Sequence, residues 1–480
     1  MSAPPDAGDS DPRDLEISPA ELRRLASLTV ERLAAHLESL PRQPSADVDG
    51  AAELARSLRE GLPEEGVPYE RLLELLFDRA VPKSFNTAGP GYLAYIPGGG
   101  LVQAGLADLI ADVTNRFVGV WMAAPALVQL EANVGRWLCD MVGYPPAALG
   151  LLTTGGSMAN LIALVTARRE RLPESFLSGV LYVSDQAHHS VQKAALLAGF
   201  PPANVRAVPT DERYCIRTEA IAPMVAADRA AGLTPFLLVA NAGTTNTGAV
   251  DDLQACADVA RNHGLWLHVD GAYGGFFVLT ERGRRTLAGL ERADSITLDP
   301  HKGLFLPYGT GSILVRDGKA LGRAHSVHAA YLPAVPEDPD FVDFSSVSPE
   351  LSRDFRGLRV WLPIKMHGIG PFRRALDEKL DLAAWAVEEI RRLPGIEIVA
   401  EPQLSLLAFR VVRPGLGEAA LNDLNRRVME AVNARRRVYI TNTVARGRFL
   451  IRICVLSFRT HRDRMEMALE DIRAAVAETI

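Results

Sequence analysis

Two residues capable of acid–base chemistry stand directly after apolar segments of strand length. Asp270 closes such a segment in LHVDGAYGG, residues 267–275, and Lys302 follows another in SITLDPHKGLF, residues 295–305. A lysine in an apolar setting can have its pKa lowered, which makes its amine a nucleophile for Schiff-base chemistry. A carboxylate at a strand end can bind a metal, act as a base, pair with a ring cation, or only cap the next turn. The alternative is that the lysine is only solvated and the aspartate only structural. The neighbouring motifs distinguish this interpretation from a catalytic one.

A glycine-rich turn lies upstream of both residues. In TTGGSMANLIAL, residues 153–164, two glycines and a serine lead into an apolar-periodic segment. Such a turn exposes backbone N–H groups at a helix N-terminus, which is a site for a phosphate dianion. Taken alone, the turn fits equally well a strand-to-helix connection that binds nothing. It matches neither GxGxxG nor GxxxxGK[ST], so a dinucleotide or a nucleoside triphosphate is not indicated.

Two further motifs add an imidazole and hydroxyl groups to the lysine, the aspartate and the glycine-rich turn. SDQAHHSVQKA, residues 184–194, offers His188, which can stack on an aromatic ring and donate a proton. The adjacent His189 is expected to point elsewhere, so no zinc pair and no metal site are predicted. GTTNTG, residues 243–248, supplies hydroxyl groups after another strand. Pyridoxal 5'-phosphate requires a lysine for its aldehyde, a carboxylate for its ring nitrogen and dipoles for its phosphate, and these motifs together predict that cofactor.

The elements that must position these residues alternate between strands and helices. Helical patterns at 157–171, 189–198 and 251–263 separate short apolar runs at 180–184, 236–241, 265–270, 295–299 and 312–316. This alternation predicts an α/β domain with a mostly parallel, twisted sheet. Ligands bind such sheets at the carboxyl ends of the strands, where the polar residues above are placed.

The flanking segments predict additional parts. Ser18-Pro19-Ala20-Glu21 is a capping box that begins an amphipathic helix ended by Pro41 and Pro44, and a second helix is predicted near 68–80. Their apolar stripes need a partner surface, such as a second subunit. After Pro333 the pattern is a helix at 355–392, a strand at 404–412, a helix at 417–434, strands at 437–442 and 448–456, and a helix at 462–478. The predicted division is a disordered tail (1–15), an N-terminal helical dimerisation segment (16–88), a large cofactor-binding α/β domain (89–345) and a small α+β domain (346–480).

Composition excludes several classes of protein. The chain of 480 residues is 48% hydrophobic and 23% charged, with a net charge of −6, which argues against extensive disorder and against a nucleic-acid partner. The Arg435–Arg437 run is read as a solvated helix end. The four cysteines are far apart and no apolar run reaches the length of a membrane span. The N-terminus is acidic and proline-rich without the order of a signal peptide, so a cytoplasmic location is predicted.

The motifs SDQAHHS, HVDGAYGG and DPHK, in this order and spacing, resemble the group II pyridoxal-phosphate decarboxylases, most closely the aromatic-L-amino-acid decarboxylase branch. The resemblance extends from about residue 70 to the C-terminus. It implies the fold of the type I pyridoxal-phosphate-dependent transferases, with a seven-stranded, mostly parallel sheet between helices, and it implies a homodimer.

Carried over residue by residue, the resemblance gives Lys302 as the internal-aldimine lysine, Asp270 as the partner of the ring nitrogen and His188 as the stacking histidine. The remaining cofactor contacts that it implies are Gly156, Ser157 and Met158 in the phosphate loop, Thr245, Ala272, Asp299, His301, and Leu351 and Ser352, which would reach the phosphate of the neighbouring subunit. The phosphate loop departs from the family at Ala159, where a serine is usual, and Asp299 stands where many relatives have asparagine.

Tyr331, in HAAYLPAVPEDPD, matches a mobile-loop tyrosine that the family uses to protonate the substrate carbon after carbon dioxide leaves. An exposed tyrosine without a role is the alternative. Tyr95, Pro97 and Gly98 match the segment that forms the substrate pocket. Glycine at 98, 119 and 303 replaces larger residues of relatives, and this loss of bulk leaves the substrate open.

The implied activity is decarboxylation of an L-amino acid to the amine and carbon dioxide. Dopa, tyrosine, tryptophan and phenylalanine are favoured, with aliphatic, acidic and basic amino acids as alternatives. An oxygen-consuming aldehyde synthase is a second hypothesis, which Tyr331 disfavours because synthases typically carry phenylalanine there. A binding protein on an inactive enzyme fold is a third, which the intact Lys302, Asp270 and His188 disfavour.

Overall fold

The computed structural model describes residues 15–327, 338 and 341–479, and Tyr331 therefore lies outside the described residues. The N-terminal segment is helical, as predicted. The first helix begins at the capping box, where the Ser18 hydroxyl accepts a hydrogen bond of 3.1 Å from the Glu21 amide. The helices here are α1 (Pro19–Ser39), α2 (Ala51–Ser57) and α3 (Tyr69–Glu74), followed by a π-helical turn, Leu75–Ala80.

Two helices that were not predicted connect this segment to the sheet. They are α4 (Val102–Thr114) and α5 (Pro125–Met141). Helix α5 buries Val128, Val134 and Leu138, whereas α4 buries only its small residues Ala104 and Ala107. The large apolar side chains of α4 are consequently on its exposed side.

The central sheet has seven strands in the order β1-β7-β6-β5-β4-β2-β3. Only β7 runs antiparallel to its neighbours, so the predicted mostly parallel sheet is confirmed. Helices and strands alternate through this region: β1 (Leu149–Thr153), α6 (Gly156–Arg171), β2 (Gly179–Ser184), α7 (His189–Leu197), β3 (Val205–Val208), α8 (Ile221–Ala230), β4 (Thr234–Asn241), α9 (Leu253–His263), β5 (Trp266–Asp270), α10 (Glu281–Thr286), β6 (Ser295–Leu298), α11 (Pro300–Gly303), β7 (Gly311–Val315) and α12 (Lys319–His325).

Both faces of this sheet are buried, which explains why its strands read as continuous apolar runs rather than as alternating patterns. In β4, Leu238 and Ala240 belong to one hydrophobic core, and Leu237 and Val239 belong to the core on the opposite face. Helices therefore cover both sides, and polar groups can reach a ligand only at the strand ends.

A second, antiparallel sheet with the order β10-β11-β9-β8 forms the C-terminal part, together with helices that enclose a separate core. This agrees with the predicted α+β character. The elements are α13 (Phe344–Val347), α14 (Arg356–His367), α15 (Gly370–Arg391), β8 (Ile396–Ala400), β9 (Leu406–Val411), α16 (Glu418–Ala434), β10 (Thr441–Ala445), β11 (Arg448–Cys454) and α17 (Arg462–Thr479).

Two predictions for this part were wrong in detail. The single helix at 355–392 is divided into α14 and α15 at Gly368, whose φ of 68° no helical residue adopts. The strand predicted at 437–442 is Thr441–Ala445, because Tyr439 forms a bridge with Tyr92, which precedes α4, rather than pairing with β11. Strands β1, β3 and β8 were not predicted. Among the residues that the structure describes, no helix has the length and apolar character needed to cross a membrane.

Candidate active site

A cavity of about 270 Å³ opens at the carboxyl ends of the parallel strands. It contains side chains that follow β1, β2, β4, β5 and β6, which all end at the same edge of the sheet. Ten residues predicted from the sequence line it: Gly156, Ser157, Met158, His188, Thr245, Asp270, Ala272, Asp299, His301 and Lys302.

Lys302 lies in α11, a single turn of helix that directly follows β6. Its Nζ lies 2.9 Å from Oδ2 of Asp299, which is 2% exposed. Burial disfavours the ammonium, but Asp299, aided by Asp270, outweighs burial and raises the pKa of Lys302 above its ordinary value. A lowered pKa, which an apolar setting can produce, is thus not the direction found here, because the carboxylate of Asp299 lies one helical turn away.

Asp270 is the last residue of β5 and is buried. Its Oδ1 accepts a hydrogen bond of 3.1 Å from the Ala272 amide, and its Oδ2 accepts one of 3.0 Å from Nδ2 of Asn160. These two donors orient the carboxylate at the cavity wall. A carboxylate with remaining acceptor capacity can hold a protonated ring nitrogen.

His188 is the N-cap residue of α7, and its Nδ1 lies 2.7 Å from the Ser190 hydroxyl. Burial lowers the pKa of His188, so the ring is neutral near pH 7. His189 is exposed and does not line the cavity, as expected, although the two imidazole rings have centroids 4.1 Å apart. The cap position departs from regular helix or strand geometry, which allows neighbouring side chains to approach.

The turn between β1 and α6 forms the end of the cavity predicted to bind phosphate. Gly155 has a φ of 152°, and Gly156 begins the helix. The first amides of a helix have no acceptor within the helix, so they can bind an anion. A Cβ on Gly156 would lie 3.1 Å from Asp299 Oδ2, so glycine lets the carboxylate approach the turn. The other oxygen of Asp299, Oδ1, is buried without a hydrogen-bond partner among the described residues.

His301 and Thr245 line the cavity through contacts that hold them in place. The Nδ1 of His301 lies 2.6 Å from the Thr310 carbonyl oxygen and must donate to it, which leaves Nε2 3.7 Å from Asp299. Burial lowers the pKa of His301. The carbonyl oxygen of Thr245 accepts a hydrogen bond of 2.7 Å from Arg452 of β11, so the second sheet supports this wall.

Five other predicted residues do not line the cavity: Tyr95, Pro97, Gly98, Leu351 and Ser352. Tyr95 is half exposed, with a φ of 49°, and Pro97 and Gly98 are buried. Leu351 is half-buried and Ser352 is exposed. Tyr331 cannot be compared, since it lies outside the described residues.

The glycines thought to remove bulk from the pocket are instead places where backbone and side chains pack closely. At Gly98, an added Cβ would lie 1.9 Å from the carbonyl oxygen of His301. At Gly119 it would lie 2.2 Å from the carbonyl oxygen of Leu351, and at Gly303 it would lie 2.5 Å from the Cβ of Phe276. The neighbouring atoms occupy the space that a larger residue would need. Glycine at these positions therefore does not by itself enlarge the pocket.

Several cavity residues were not singled out from the sequence, including Asn160, Ser190, Asn241 and Tyr273. Asn160 had a detectable signal, because it lies four residues after Gly156 and so on the same face of α6, within an otherwise apolar stretch. Ser190 follows His188 by two residues, the spacing of a side chain that bonds back to a cap.

The residues present fit pyridoxal phosphate. The cavity provides an amine for an aldehyde, a buried carboxylate for a ring nitrogen, a neutral histidine, and helix amides for a phosphate. Within the described parts of the chain, no group of three His, Cys, Asp or Glu side chains is arranged to hold a metal ion.

The chain is similar to known proteins over nearly its whole length. Residues 53–412 match the pyridoxal-dependent decarboxylase conserved domain. An aromatic-L-amino-acid decarboxylase of Bacillus atrophaeus is 34% identical over 97% of both chains. A phenylacetaldehyde synthase of Petunia hybrida is 29% identical, covering 95% of this chain and 94% of that protein.

Solved structures agree with these matches. The structure of Oryza sativa TDC with PLP and tryptamine superposes with a TM-score of 0.91 at 28% identity, over 96% of this chain and 99% of the other. Mouse CSAD superposes with a TM-score of 0.87 at 27% identity, over 96% and 99%. The predicted type I fold is thereby confirmed. With the family domain matched across most of the chain and the cavity equipped for its cofactor, this protein belongs to the pyridoxal-dependent decarboxylase family and is a pyridoxal-phosphate-dependent amino-acid carboxy-lyase.

Proposed function

We propose that this enzyme removes the α-carboxylate of an aromatic L-amino acid and releases the corresponding amine and carbon dioxide. The observation that carries the proposal is the meeting of Lys302, Asp270, His188 and the N-terminus of α6 around one cavity. The aromatic substrate class is supported by relatives described as an aromatic-L-amino-acid decarboxylase and as tryptophan decarboxylases, which are 29–34% identical to this chain.

In this proposal, bound pyridoxal phosphate supplies an aldehyde that takes up the substrate amine and a protonated ring that accepts the electrons of the broken carbon–carbon bond. Lys302 Nζ would hold the aldehyde carbon until the substrate amine replaces it. Asp270 would keep a proton on the ring nitrogen, since its carboxylate is buried and already oriented by two donors. His188 would lie against the ring. Gly156, Ser157 and Met158 would bind the phosphate through the helix N-terminus.

Further cofactor contacts are proposed on the same grounds. Thr245 would contact the phenolic oxygen of the cofactor, and Ala272 would pack under the cofactor ring. Asp299 and His301 would complete the cavity wall on the side of Lys302. Tyr331 is proposed to protonate the former α-carbon of the substrate. This carbon needs a proton after carbon dioxide has left, so that the amine can be released. Tyr95, Pro97 and Gly98 are proposed to border the entrance for the substrate side chain.

We also propose a homodimer. Helix α4 exposes an apolar stripe at the spacing of one helical face, with exposed fractions from 42% for Val102 to 61% for Val113. Helix α1 buries none of its residues in its own chain, and Leu22, Val30 and Leu33 are exposed. Such faces are typical of subunit interfaces. Leu351 and Ser352, which lie outside this chain's cavity, would contact the phosphate bound by the other subunit.

We propose a division at residues 15, 88 and 345 and a cytoplasmic location. In the C-terminal part, the separate core of the second sheet begins at Leu382, whereas Phe344 of α13 and Val360 of α14 pack in the cores of the seven-stranded sheet. All four cysteines are unpaired, as is usual in a reducing compartment.

The test of the function is a panel of L-amino acids supplied to the purified enzyme with pyridoxal phosphate, with carbon dioxide, amine, aldehyde and hydrogen peroxide measured for each. We expect equimolar amine and carbon dioxide from at least one of dopa, tyrosine, tryptophan and phenylalanine. Release of carbon dioxide only from acidic, basic or aliphatic amino acids would contradict the aromatic assignment. Aldehyde and peroxide as the main products would identify an aldehyde synthase instead.

A further inference from the structure

Asn160 lies beneath the cavity and uses every hydrogen-bonding position of its side-chain amide. It is 3% exposed and occupies the second turn of α6. Its Nδ2 donates to Ser190 Oγ and to Asp270 Oδ2, each at 3.0 Å. Its Oδ1 accepts from Thr297 Oγ1 at 2.7 Å and lies 3.0 Å from Nε2 of His268. One amide therefore connects the carboxylate proposed for the ring nitrogen with His268 on the same strand, with Ser190 of α7 and with Thr297 of β6.

The direction of these bonds follows from Asp270. A carboxylate can only accept, so the amide nitrogen must face it and the amide oxygen must face Thr297 and His268. His268 consequently carries its proton on Nε2 and accepts through Nδ1, which lies 2.8 Å from Ser295 Oγ. Burial lowers the pKa of His268 to about 4, in agreement with a ring that has a single proton.

The second branch reaches His188. Because Ser190 Oγ accepts from Asn160, its own hydrogen is free to donate to His188 Nδ1 at 2.7 Å. The Ser190 amide also donates to that nitrogen, at 3.3 Å. With Nδ1 occupied as an acceptor, the single proton of the neutral His188 ring is on Nε2. His188 is thereby prepared to donate from Nε2 rather than to accept a proton there.

We propose that Asn160 is a positioning residue whose one amide both aims Asp270 and sets the tautomer of His188. The inference deepens the proposed function, since it rests on the roles given there to Asp270 and His188. Its consequence is that the contact to the ring nitrogen and the contact to one face of the bound ring are positioned together. Loss of the amide hydrogens should disturb both residues, whereas loss of the Ser190 hydroxyl should disturb only His188.

The experiment compares two variants with a matched control. Asn160→Asp keeps the size of the side chain but removes both donors, and Ser190→Ala interrupts only the branch to His188. Asn425→Asp is the control, because Asn425 is a buried amide with three hydrogen bonds, to Val411 and Leu421, in the separate C-terminal core. The same substitution there tests for a general loss of stability.

Two measurements avoid any dependence on turnover. The first is the ¹⁵N chemical shifts of the His188 ring in histidine-labelled protein without cofactor, assigned with a His188→Gln variant whose spectrum lacks them. The second is the dissociation constant of pyridoxal phosphate by equilibrium dialysis. Since bonds to a charged group are among the stronger ones, we expect Asn160→Asp to raise this constant about tenfold or more and to change the His188 shifts.

Ser190→Ala should increase the population of the Nδ1–H form of His188, because Nδ1 loses its 2.7 Å bond from the hydroxyl and keeps only the longer bond of 3.3 Å from the amide of residue 190. The dissociation constant should change by less than about threefold, because Asp270 retains its bond from Asn160. Asn425→Asp should lower the melting temperature without changing either measurement. Wild-type shifts in Ser190→Ala would overturn the proposal even if Asn160→Asp did not fold. Wild-type cofactor affinity in a folded Asn160→Asp would also overturn it. Neither result depends on which amino acid is the substrate, so a failed substrate panel would be a separate outcome.

Discussion

Lys302 and Asp299 form an ion pair that we expect to control how readily the lysine reacts. The amine must lose a proton before it attacks an aldehyde, and Asp299 at 2.9 Å stabilises the ammonium against the effect of burial. The raised pKa of Lys302 means that the reactive form increases as the pH rises toward that value. An asparagine at position 299 would lack this charge.

We therefore predict that Asp299→Asn lowers the pKa of Lys302, because burial then acts without the opposing carboxylate. The rate at which protein stripped of cofactor takes up pyridoxal phosphate, followed by absorbance across a pH series, should reach its plateau at lower pH than in wild type. Asp228→Asn, which removes a carboxylate paired with Arg206 elsewhere in the chain, should leave the profile unchanged. An identical profile for Asp299→Asn would contradict the role of the pair.

Lys302 and Asp270 are predicted to be indispensable for turnover. Lys302→Ala removes the amine, so multiple turnover and the covalent attachment of cofactor should both be lost.

Asp270→Ala leaves the ring nitrogen without a partner, and losing one such electrostatic group lowers rates by roughly 10²- to 10³-fold. Asp270→Glu keeps the charge but changes its reach, so it should be intermediate. Carbon dioxide release measures each variant, and near-wild-type rates in Asp270→Ala would show that the ring lies elsewhere.

At the scale of elements, Gly98 marks a contact between the segment 93–100 and the loop of Lys302. We predict that Gly98→Ala lowers the free energy of unfolding by about 1–3 kcal/mol, because its methyl group meets the His301 carbonyl oxygen and a backbone atom cannot turn aside. Thermal and urea unfolding measure the loss. Gly322→Ala in α12 is the control, since a Cβ there meets no atom within 4 Å and α12 lies outside the proposed subunit interface. Equal stability of both variants would mean that the contact is not retained in solution.

A separate prediction concerns Tyr331, the proposed proton donor. Tyr331→Phe keeps the ring and removes the hydroxyl, so the former α-carbon loses its proposed proton donor and oxygen can intercept it. Amine yield should fall, while aldehyde, ammonia and hydrogen peroxide should increase. Both product sets are to be measured from the same reaction under air. A wild-type ratio of amine to aldehyde would remove Tyr331 from the mechanism without affecting Lys302 or Asp270.

At the scale of the whole molecule, the exposed stripes of α1 and α4 predict assembly. Sedimentation of the wild type at assay concentrations should give a dimer. Leu109→Glu places a charge in the middle of the α4 stripe, so we expect it to yield monomer with weakened cofactor binding. Val444→Glu is the control, because Val444 is an exposed apolar residue of β10 outside both stripes. A wild-type enzyme that is an active monomer at assay concentrations would refute the homodimer.

Short-range patterns in the sequence were enough to determine the sheet region and the chemical groups of the site. Burial on both faces made the strands around 180–184, 236–241 and 265–270 apolar throughout, and the capping box at Ser18 needs only neighbouring residues. Lys302, Asp270 and His188 were recognisable because strand ends, where ligands bind, leave a local signature. The helix break at Gly368 was missed, although glycine there was visible, because the apolar periodicity continues on both sides.

Tertiary structure alone decided how these groups behave. The pKa of Lys302 depends on burial and on the orientation of Asp299, and the space at Gly98 depends on a carbonyl group about 200 residues away. Asn160 contacts Asp270, His268 and Thr297 across separations of 110, 108 and 137 residues. No local pattern encodes such contacts, because hydrogen-bond partners and local dielectric are set by which elements pack together. The sequence thus determined which chemistry is available, and packing determined the protonation, orientation and room with which it operates.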